Sequence, residues 1–225
     1  PKFILKISLP LLIVYAAIGQ SDFGYIILKA AGINEPFLDV AQHLYQFVFA
    51  TILLMVIPWS IIKKKTSKFK VLTGTTKGNW KIGKWLLIIS PLAIIALWIG
   101  SNDPALIAEY PLSKNILSLW GYFVLFELAY GLFYYIPYEF HFRGLLQTGL
   151  SQNWTAWQSI LFVTLVTTAL HWMKPVSEIM GAFAVGFFFG FIAYKTKSWG
   201  YVWWIHYLVG LSTDTFCALR FLGLI

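Results

Sequence analysis

The chain has 225 residues, of which 59% are hydrophobic, 19% are aromatic and only 12% are charged. This composition excludes an ordinary soluble globular domain and predicts an integral membrane protein. Lysine and arginine outnumber aspartate and glutamate by 17 to 9, a formal net charge of +8, but the bases cluster beside apolar runs and no nucleic-acid-binding motif accompanies them. The charge therefore indicates membrane topology, and we expect no nucleic acid partner.

Seven apolar runs are long enough to cross about 30 Å of hydrocarbon. They predict an all-α fold, a polytopic helical membrane protein with about seven to eight transmembrane helices. The first run lacks a convincing signal-peptide cleavage site, so we expect a retained helix. A further apolar segment, 23–31, is too short to span and is expected to be an interfacial helix. No repeat or linker divides the chain, which predicts one helical membrane domain over residues 1–225. The seven runs cover residues 3–19, 40–62, 85–100, 117–135, 156–171, 179–194 and 202–222.

The charges on the connecting segments are strongly segregated. Residues 63–84 contain eight lysines and no acidic residue, whereas the neighbouring loops carry acids such as Asp22, Glu35 and Asp103. Because basic loops stay in the cytoplasm, the lysine segment is expected inside and the acidic loops outside. The amino terminus is then also inside.

Glu139 and Arg143 are four residues apart within an apolar stretch. On a helix they share a face and can form an ion pair, which lowers the cost of placing both in a membrane. One interpretation is a functional site, because ionisable groups inside membranes usually serve function. The alternative is a buried pair that only fixes the position of the helix.

His171 ends an apolar run and is followed by Lys174, Pro175 and Glu178. The proline breaks the chain beside three ionisable groups, which indicates either a site or an interfacial histidine.

His206, Gly210 and Asp214 occur at successive steps of four in the last run. They line one face of a helix, where they indicate a water-filled cavity or an intrahelical contact.

Ala182, Gly186 and Gly190 also recur every fourth residue. A ladder of small residues lets another helix approach closely, and we interpret it as packing alone.

Three separate runs thus each bring a histidine or a carboxylate into the membrane, a set that suits hydrolysis by activated water. Zinc is the second choice, because two histidines and a carboxylate can bind it but no His-Glu-x-x-His helix is present. We therefore expect no cofactor. A Gly-x-Ser-x-Gly elbow is missing, and Cys217, the only cysteine, has no base near it in sequence.

These residues resemble motifs of the CAAX protease and bacteriocin-processing family of intramembrane glutamic endopeptidases. That family carries Glu-Glu-x-x-x-Arg, Phe-x-x-x-His and His-x-x-x-Asn motifs on separate helices. Glu139-x-x-x-Arg143 matches the first motif, His171 the second and His206 the third, over roughly residues 127–218. The resemblance implies a CAAX-prenyl-endopeptidase-like core at about 115–222 and a multi-pass protein of a bacterial cytoplasmic membrane.

The chain departs from the family pattern at three positions. Tyr138 stands where the family has its first glutamate, usually assigned as the water-activating base, so this chain has a single glutamate in the motif. Thr167 replaces the phenylalanine before His171, which affects packing. Gly210 replaces the asparagine that helps to hold the oxyanion, and an ionised Asp214 cannot donate in its place. We expect Asp214 to orient His206 instead.

The resemblance implies an intramembrane peptidase that hydrolyses a peptide bond near the cytoplasmic membrane surface. Glu139, helped by Glu178, would activate water together with His171, while His206 would stabilise the oxyanion and Arg143 would keep Glu139 ionised. This requires the helix that carries Glu139 to continue past Arg143 or to break at Pro137, because one crossing otherwise separates Glu139 from His171.

Two other functions fit the pattern. The missing glutamate and asparagine suggest a catalytically inactive, family-derived membrane scaffold or a partner-binding subunit. A transporter would also carry intramembrane carboxylates, although inverted repeats are not evident. The expected partners are membrane lipid and a peptide or membrane-protein substrate, and a second membrane protein is the alternative partner.

Overall fold

The computed structural model describes residues 2–225, and this part of the chain is helical and contains no β-strand. Several helices are interrupted by short π-helical turns or bends. The α-helices are α1 (Lys2–Val14), α2 (Phe23–Ala30), α3 (Phe37–Ala50), α4 (Ile57–Lys65), α5 (Phe69–Leu72), α6 (Trp80–Ile89), α7 (Leu92–Gly100), α8 (Pro104–Glu109), α9 (Trp120–Tyr130), α10 (Ile136–Glu139), α11 (Thr148–Leu150), α12 (Ala156–Ala169), α13 (Val176–Thr196) and α14 (Gly200–Phe221).

Within residues 2–225, three helical segments are long and apolar enough to cross a membrane: Lys2–Gly19, Phe37–Lys65 and Val176–Thr196. A fourth exists if α6 and α7, which meet at a bend of 40°, count as one span. The prediction of seven to eight apolar spans is therefore wrong by this measure. The reason is physical: α12 is only 14 residues long, and the helices of segments 120–150 and 200–221 carry the charged and tyrosine side chains that dilute their hydrophobicity.

Residues 120–150 form one helical run, in which α9, α10 and α11 are joined by the π-helical segments Gly131–Tyr135 and Phe140–Gln147. The helical run that carries Glu139 therefore continues past Arg143, which is the condition for Glu139 and His171 to belong to one site. Its second half is buried. His141 is fully buried there, and its Nδ1 lies 3.1 Å from the carbonyl oxygen of Leu54, so this histidine joins the run to the span Phe37–Lys65.

Helix α13 packs closely against α12 and segment 120–150. The Nε2 group of Gln147 donates to the carbonyl oxygen of Gly190 at 2.7 Å, and Nη2 of Arg143 donates to that of Gly186 at 3.4 Å. A Cβ on Gly190 would lie 2.8 Å from Cγ2 of Ile160, closer than real Cβ contacts. The small-residue ladder thus serves the close helix approach that its spacing predicts.

The carboxyl end of α13 is attached to the lysine segment. The backbone N–H of Asn79 donates to the carbonyl oxygen of Thr196 at 2.7 Å, and Oγ1 of Thr76 donates to the carbonyl oxygen of Lys197 at 2.7 Å. The amino end of α13 contacts the acidic loops instead, because Oγ of Ser177 donates to Asp103 at 2.7 Å. The fold therefore has a lysine face and an acidic face at opposite ends of α13.

Candidate functional site

A cavity of about 380 Å³ lies between the helices of the carboxy-terminal half and the amino-terminal helices. Four of the predicted site residues line it: His171, Glu178, His206 and Asp214. The rest of its wall is largely aromatic and aliphatic. The tyrosines in it are Tyr15, Tyr110, Tyr130, Tyr134, Tyr135 and Tyr138.

Glu139 belongs to a buried charged cluster behind this wall. Its Oε1 lies 2.6 Å from Nδ1 of His206, and its Oε2 lies 3.5 Å from Nε of Arg143, which is the ion pair that the four-residue spacing predicts. The Glu139 side chain has no exposed surface and does not line the cavity. His206 does line the cavity, with 23% of its side chain exposed. Glu139 thus fixes the ring through Nδ1 and leaves Nε2 unengaged.

His171 and Glu178 form a second histidine–carboxylate pair in the turn before α13 and in its first turn. Nδ1 of His171 donates to the carbonyl oxygen of Thr167 at 2.7 Å, and its Nε2 lies 4.0 Å from Oε1 of Glu178. The Tyr110 hydroxyl donates to the same Oε1 at 2.7 Å. Oε2 of Glu178 is buried, and no partner for it exists within residues 2–225. Burial lowers the pKa of His171, which favours the neutral ring with a lone pair on Nε2.

Asp214 has a different neighbour from the one expected. The bond to Nδ1 of His206 is made by Glu139, whereas the buried carboxyl of Asp214 lies near that of Glu127. Both carboxyl groups are almost completely buried. The structure therefore gives the orienting contact to Glu139 and not to Asp214. Glu127 could have been chosen as a candidate site residue from the sequence, since it is an acidic residue within an apolar run.

Gly210 provides space for a tyrosine hydroxyl. A Cβ at this position would lie 2.1 Å from the hydroxyl oxygen of Tyr135, so any side chain would collide with it. The Tyr135 ring packs 4.6 Å from the ring of His206 and stacks 4.5 Å from Tyr130. Sequence reasoning missed Tyr135 and Tyr110, because only the tertiary structure brings these phenols to the two histidines.

Tyr138, in the position of the family's first glutamate, also faces the cavity. Its ring lies 5.7 Å from His206 in an edge-on arrangement and is 3% exposed. An aromatic side chain therefore stands where the family has a carboxylate.

The two histidine–carboxylate pairs lie at different depths. His171 and Glu178 lie at the amino end of α13, beside the acidic loops. His206 lies in the second turn of α14, which begins beside the lysine segment, because Nε1 of Trp199 donates to Oγ1 of Thr75.

The two histidines engage different carboxylates, Glu178 and Glu139. In the part of the chain that the structure describes, no group of three or more histidine, cysteine, aspartate or glutamate side chains is arranged to hold a metal ion.

A comparison with known protein families matches the part of the chain that carries the three motifs. The family model of the type II CAAX prenyl endopeptidase Rce1-like proteins matches residues 119–212, less than half of the chain but the part that carries all three motifs. No curated protein and no solved structure matches the chain significantly. With its apolar helices, the match identifies a helical membrane protein. Residues 119–212 of this chain are thus similar to the Rce1-like proteins, which confirms the family resemblance that the sequence predicts.

Proposed function

We propose that the protein is an intramembrane peptidase of the Rce1-like type, which hydrolyses a peptide bond in the cavity. One observation carries this proposal: two histidines, each beside its own carboxylate, line one cavity within otherwise apolar surroundings. The Rce1-like match supports the reaction class. Paired histidines and carboxylates supply the proton transfers that amide hydrolysis needs.

Glu178 acts as the water-activating base, assisted by His171. A water about 2.8 Å from each could donate one hydrogen to Glu178 and the other to Nε2 of His171 across their 4.0 Å separation. The carboxylate accepts the proton as the water oxygen attacks the scissile carbonyl. The bond from Tyr110 holds Glu178 in place. Glu178 therefore replaces Glu139 as the expected water-activating base, because Glu139 is buried behind the cavity wall.

His206 stabilises the carbonyl oxygen and serves the leaving amine. Glu139 holds Nδ1, and Arg143 holds Glu139, so the ring presents Nε2 to the cavity. Because Nδ1–H donates to the Glu139 carboxylate, Nε2 donates to the developing oxyanion in the doubly protonated ring, which then gives its Nε2 proton to the leaving amine while Glu178 holds the proton taken from water. The Tyr135 hydroxyl, beside the ring, is a neutral second donor, which supplies the contact that the family's asparagine would make at Gly210.

The test is cleavage of a mixed-sequence library of internally quenched peptides with leucine-rich flanks, in liposomes that contain the full chain. Glu178→Gln keeps the size of the side chain but removes the base, so we expect turnover to fall by about 100-fold or more. Asp22→Asn, in an exposed loop, is the matched control and should keep wild-type turnover. Equal turnover of Glu178→Gln and wild type would refute the role of Glu178.

A scaffold without catalysis is the second candidate, favoured by the aromatic Tyr138 in place of the first glutamate. This function predicts no cleavage of any library peptide by the wild-type protein. It also predicts that Glu178→Gln retains full biological activity and that a partner protein remains bound after purification.

A further inference from the structure

One end of the molecule is a continuous basic surface. All eight lysines of residues 63–84 are exposed, and no acidic residue lies among them. Lys195 and Lys197, at the end of α13, are also exposed and adjoin this segment through the contacts of Thr76 and Asn79. Within residues 2–225 none of these lysines pairs with a carboxylate, so their charge is available to an anion.

A groove of about 320 Å³ lies at the edge of this surface, between α6 and the start of α14. We call it the α6–α14 groove. One side carries a lysine and two hydroxyl groups, and the other side is aliphatic and aromatic. The polar residues are Thr76, Lys77 and Ser198, and the others are Leu87, Tyr201 and Trp204. The groove is therefore shaped for a ligand with a negative end and an apolar end.

Hydrogen bonds between the lysine segment and the start of α14 hold the groove in place. Oγ of Ser198 donates to the carbonyl oxygen of Thr76 at 2.7 Å, and the Tyr201 hydroxyl donates to the carbonyl oxygen of Lys77 at 3.0 Å. Helix α6 approaches the Tyr201 ring closely, since a Cβ on Gly83 would lie 2.2 Å from Cε1 of that ring. These contacts order the backbone of Lys77 before a ligand binds, which lowers the cost of binding.

The apolar side of the groove belongs to the surface that faces the acyl chains. Trp204 is 45% exposed, and Ile88 on α6 is 62% exposed. Helix α6 has Trp80 and Lys81 in its first turn and Ile88 in its last turn, and together with α7 it is apolar enough to cross a membrane. Tryptophan side chains concentrate at the level of the lipid headgroups. The groove therefore runs from the headgroup level into the hydrocarbon.

We propose that the α6–α14 groove binds an anionic phospholipid of the leaflet on the lysine side, with its phosphate at Lys77 and the start of an acyl chain against Leu87 and Trp204. The lysine surface selects a negative headgroup, because lysine clusters beside a membrane span attract anionic lipid. The apolar wall selects a lipid over a soluble anion or an acidic protein, neither of which would cover Leu87 and Trp204 at the depth of the acyl chains. Binding of the lipid does not depend on whether the protein is a peptidase.

The test is lipid binding to the full chain in detergent, measured by native mass spectrometry. Dioleoyl-phosphatidylglycerol and dioleoyl-phosphatidylcholine have the same acyl chains and differ in headgroup charge. We expect the anionic lipid to bind about tenfold more tightly, and the difference to shrink at about 0.5 M sodium chloride, because salt screens surface charge. Equal affinities for the two lipids would overturn the proposal. Glycerol phosphate has the charge without the acyl chains, and if it bound as tightly as phosphatidylglycerol, the ligand would be a soluble anion and not a lipid.

Two variants locate the bound lipid in the groove. Lys77→Gln removes one positive charge and Trp204→Ala removes the apolar wall, and each should weaken phosphatidylglycerol binding about fivefold. Lys29→Gln on α2 and Trp120→Ala on α9 are the matched controls and should keep wild-type affinity, since Lys29 is exposed and Trp120 is 45% exposed, as Trp204 is. Affinity that falls in only one of the two groove variants, or in neither, would overturn the proposal, and so would equal losses in the controls.

Discussion

Tyr135 and Gly210 show how two residues from different helices form one local feature. The Tyr135 hydroxyl fits against position 210 only because this position has no Cβ, and the Tyr135 ring packs on the ring of His206. We expect Tyr135→Phe to lower kcat by about 100-fold with little change in KM, because a donor aimed at an oxyanion acts mainly in the transition state. Peptide cleavage kinetics measure both constants. Tyr207→Phe, on a tyrosine outside the cavity lining, is the control, and equal losses in the two variants would exclude a specific role for Tyr135.

His171 gives the site a defined pH response. Its pKa is lowered chiefly by burial, opposed by the bond to Thr167, and lowered further by the positive charges of His206, Lys174 and Arg143. Catalysis uses the neutral His171 ring and the ionised Glu178 carboxylate, so kcat/KM should fall as the pH drops through the pKa values of these two groups. Replacing Lys174 by methionine removes one positive charge and raises the pKa of His171.

The acidic limb of the Lys174→Met profile should therefore move to higher pH, measured by kcat/KM over pH 5–8. Lys77→Met, on the opposite face, is the control with the same change of charge and should leave the limb in place. A limb unmoved in Lys174→Met would show that neither His171 nor Glu178 titrates in this step.

At the scale of the elements, the contact of α13 with its neighbours depends on Gly190. A methyl group there meets Cγ2 of Ile160 at 2.8 Å and Oε1 of Gln147 at 3.0 Å, so Gly190→Ala should lower the free energy of unfolding by about 1–3 kcal/mol. Gly181 lies on the same helix with no atom within 4 Å of an added Cβ, so Gly181→Ala should be neutral or stabilise by up to about 1 kcal/mol. Unfolding by sodium dodecyl sulfate in mixed micelles measures both. If both variants changed the free energy of unfolding equally, the close approach of α13 to its neighbours at Gly190 would not contribute to stability.

The same elements show where prediction from sequence succeeded. The four-residue spacings predicted the Glu139–Arg143 pair and the packing of Gly186 and Gly190, because a helix has a fixed periodicity that places such residues on one face. The number of spans was overestimated, because hydropathy treats interrupted helices and the polar-rich helices of the site as complete apolar crossings.

At the scale of the whole molecule, the arrangement of charge gives the fold a direction. The lysine segment and the acidic loops lie at opposite ends of α13, and the cavity between them is lined by Ser177 at the acidic end and by His206 in the second turn of α14. The topology rule applied to the sequence was therefore sufficient to name the two faces. It was insufficient to assign the site to one of them.

The amino-acid sequence was sufficient to predict a helical membrane protein, the charged residues inside it and the family that its carboxy-terminal half resembles. These properties are local, since they depend on composition, helical periodicity and short motifs. The folded structure was needed to show that Glu139 contacts His206 and that Glu178 lies beside His171. It also shows that Tyr110 contacts Glu178 and that Tyr135 packs on His206. Each of these pairs joins residues from different elements, and their meeting depends on how those elements pack, which no local pattern encodes.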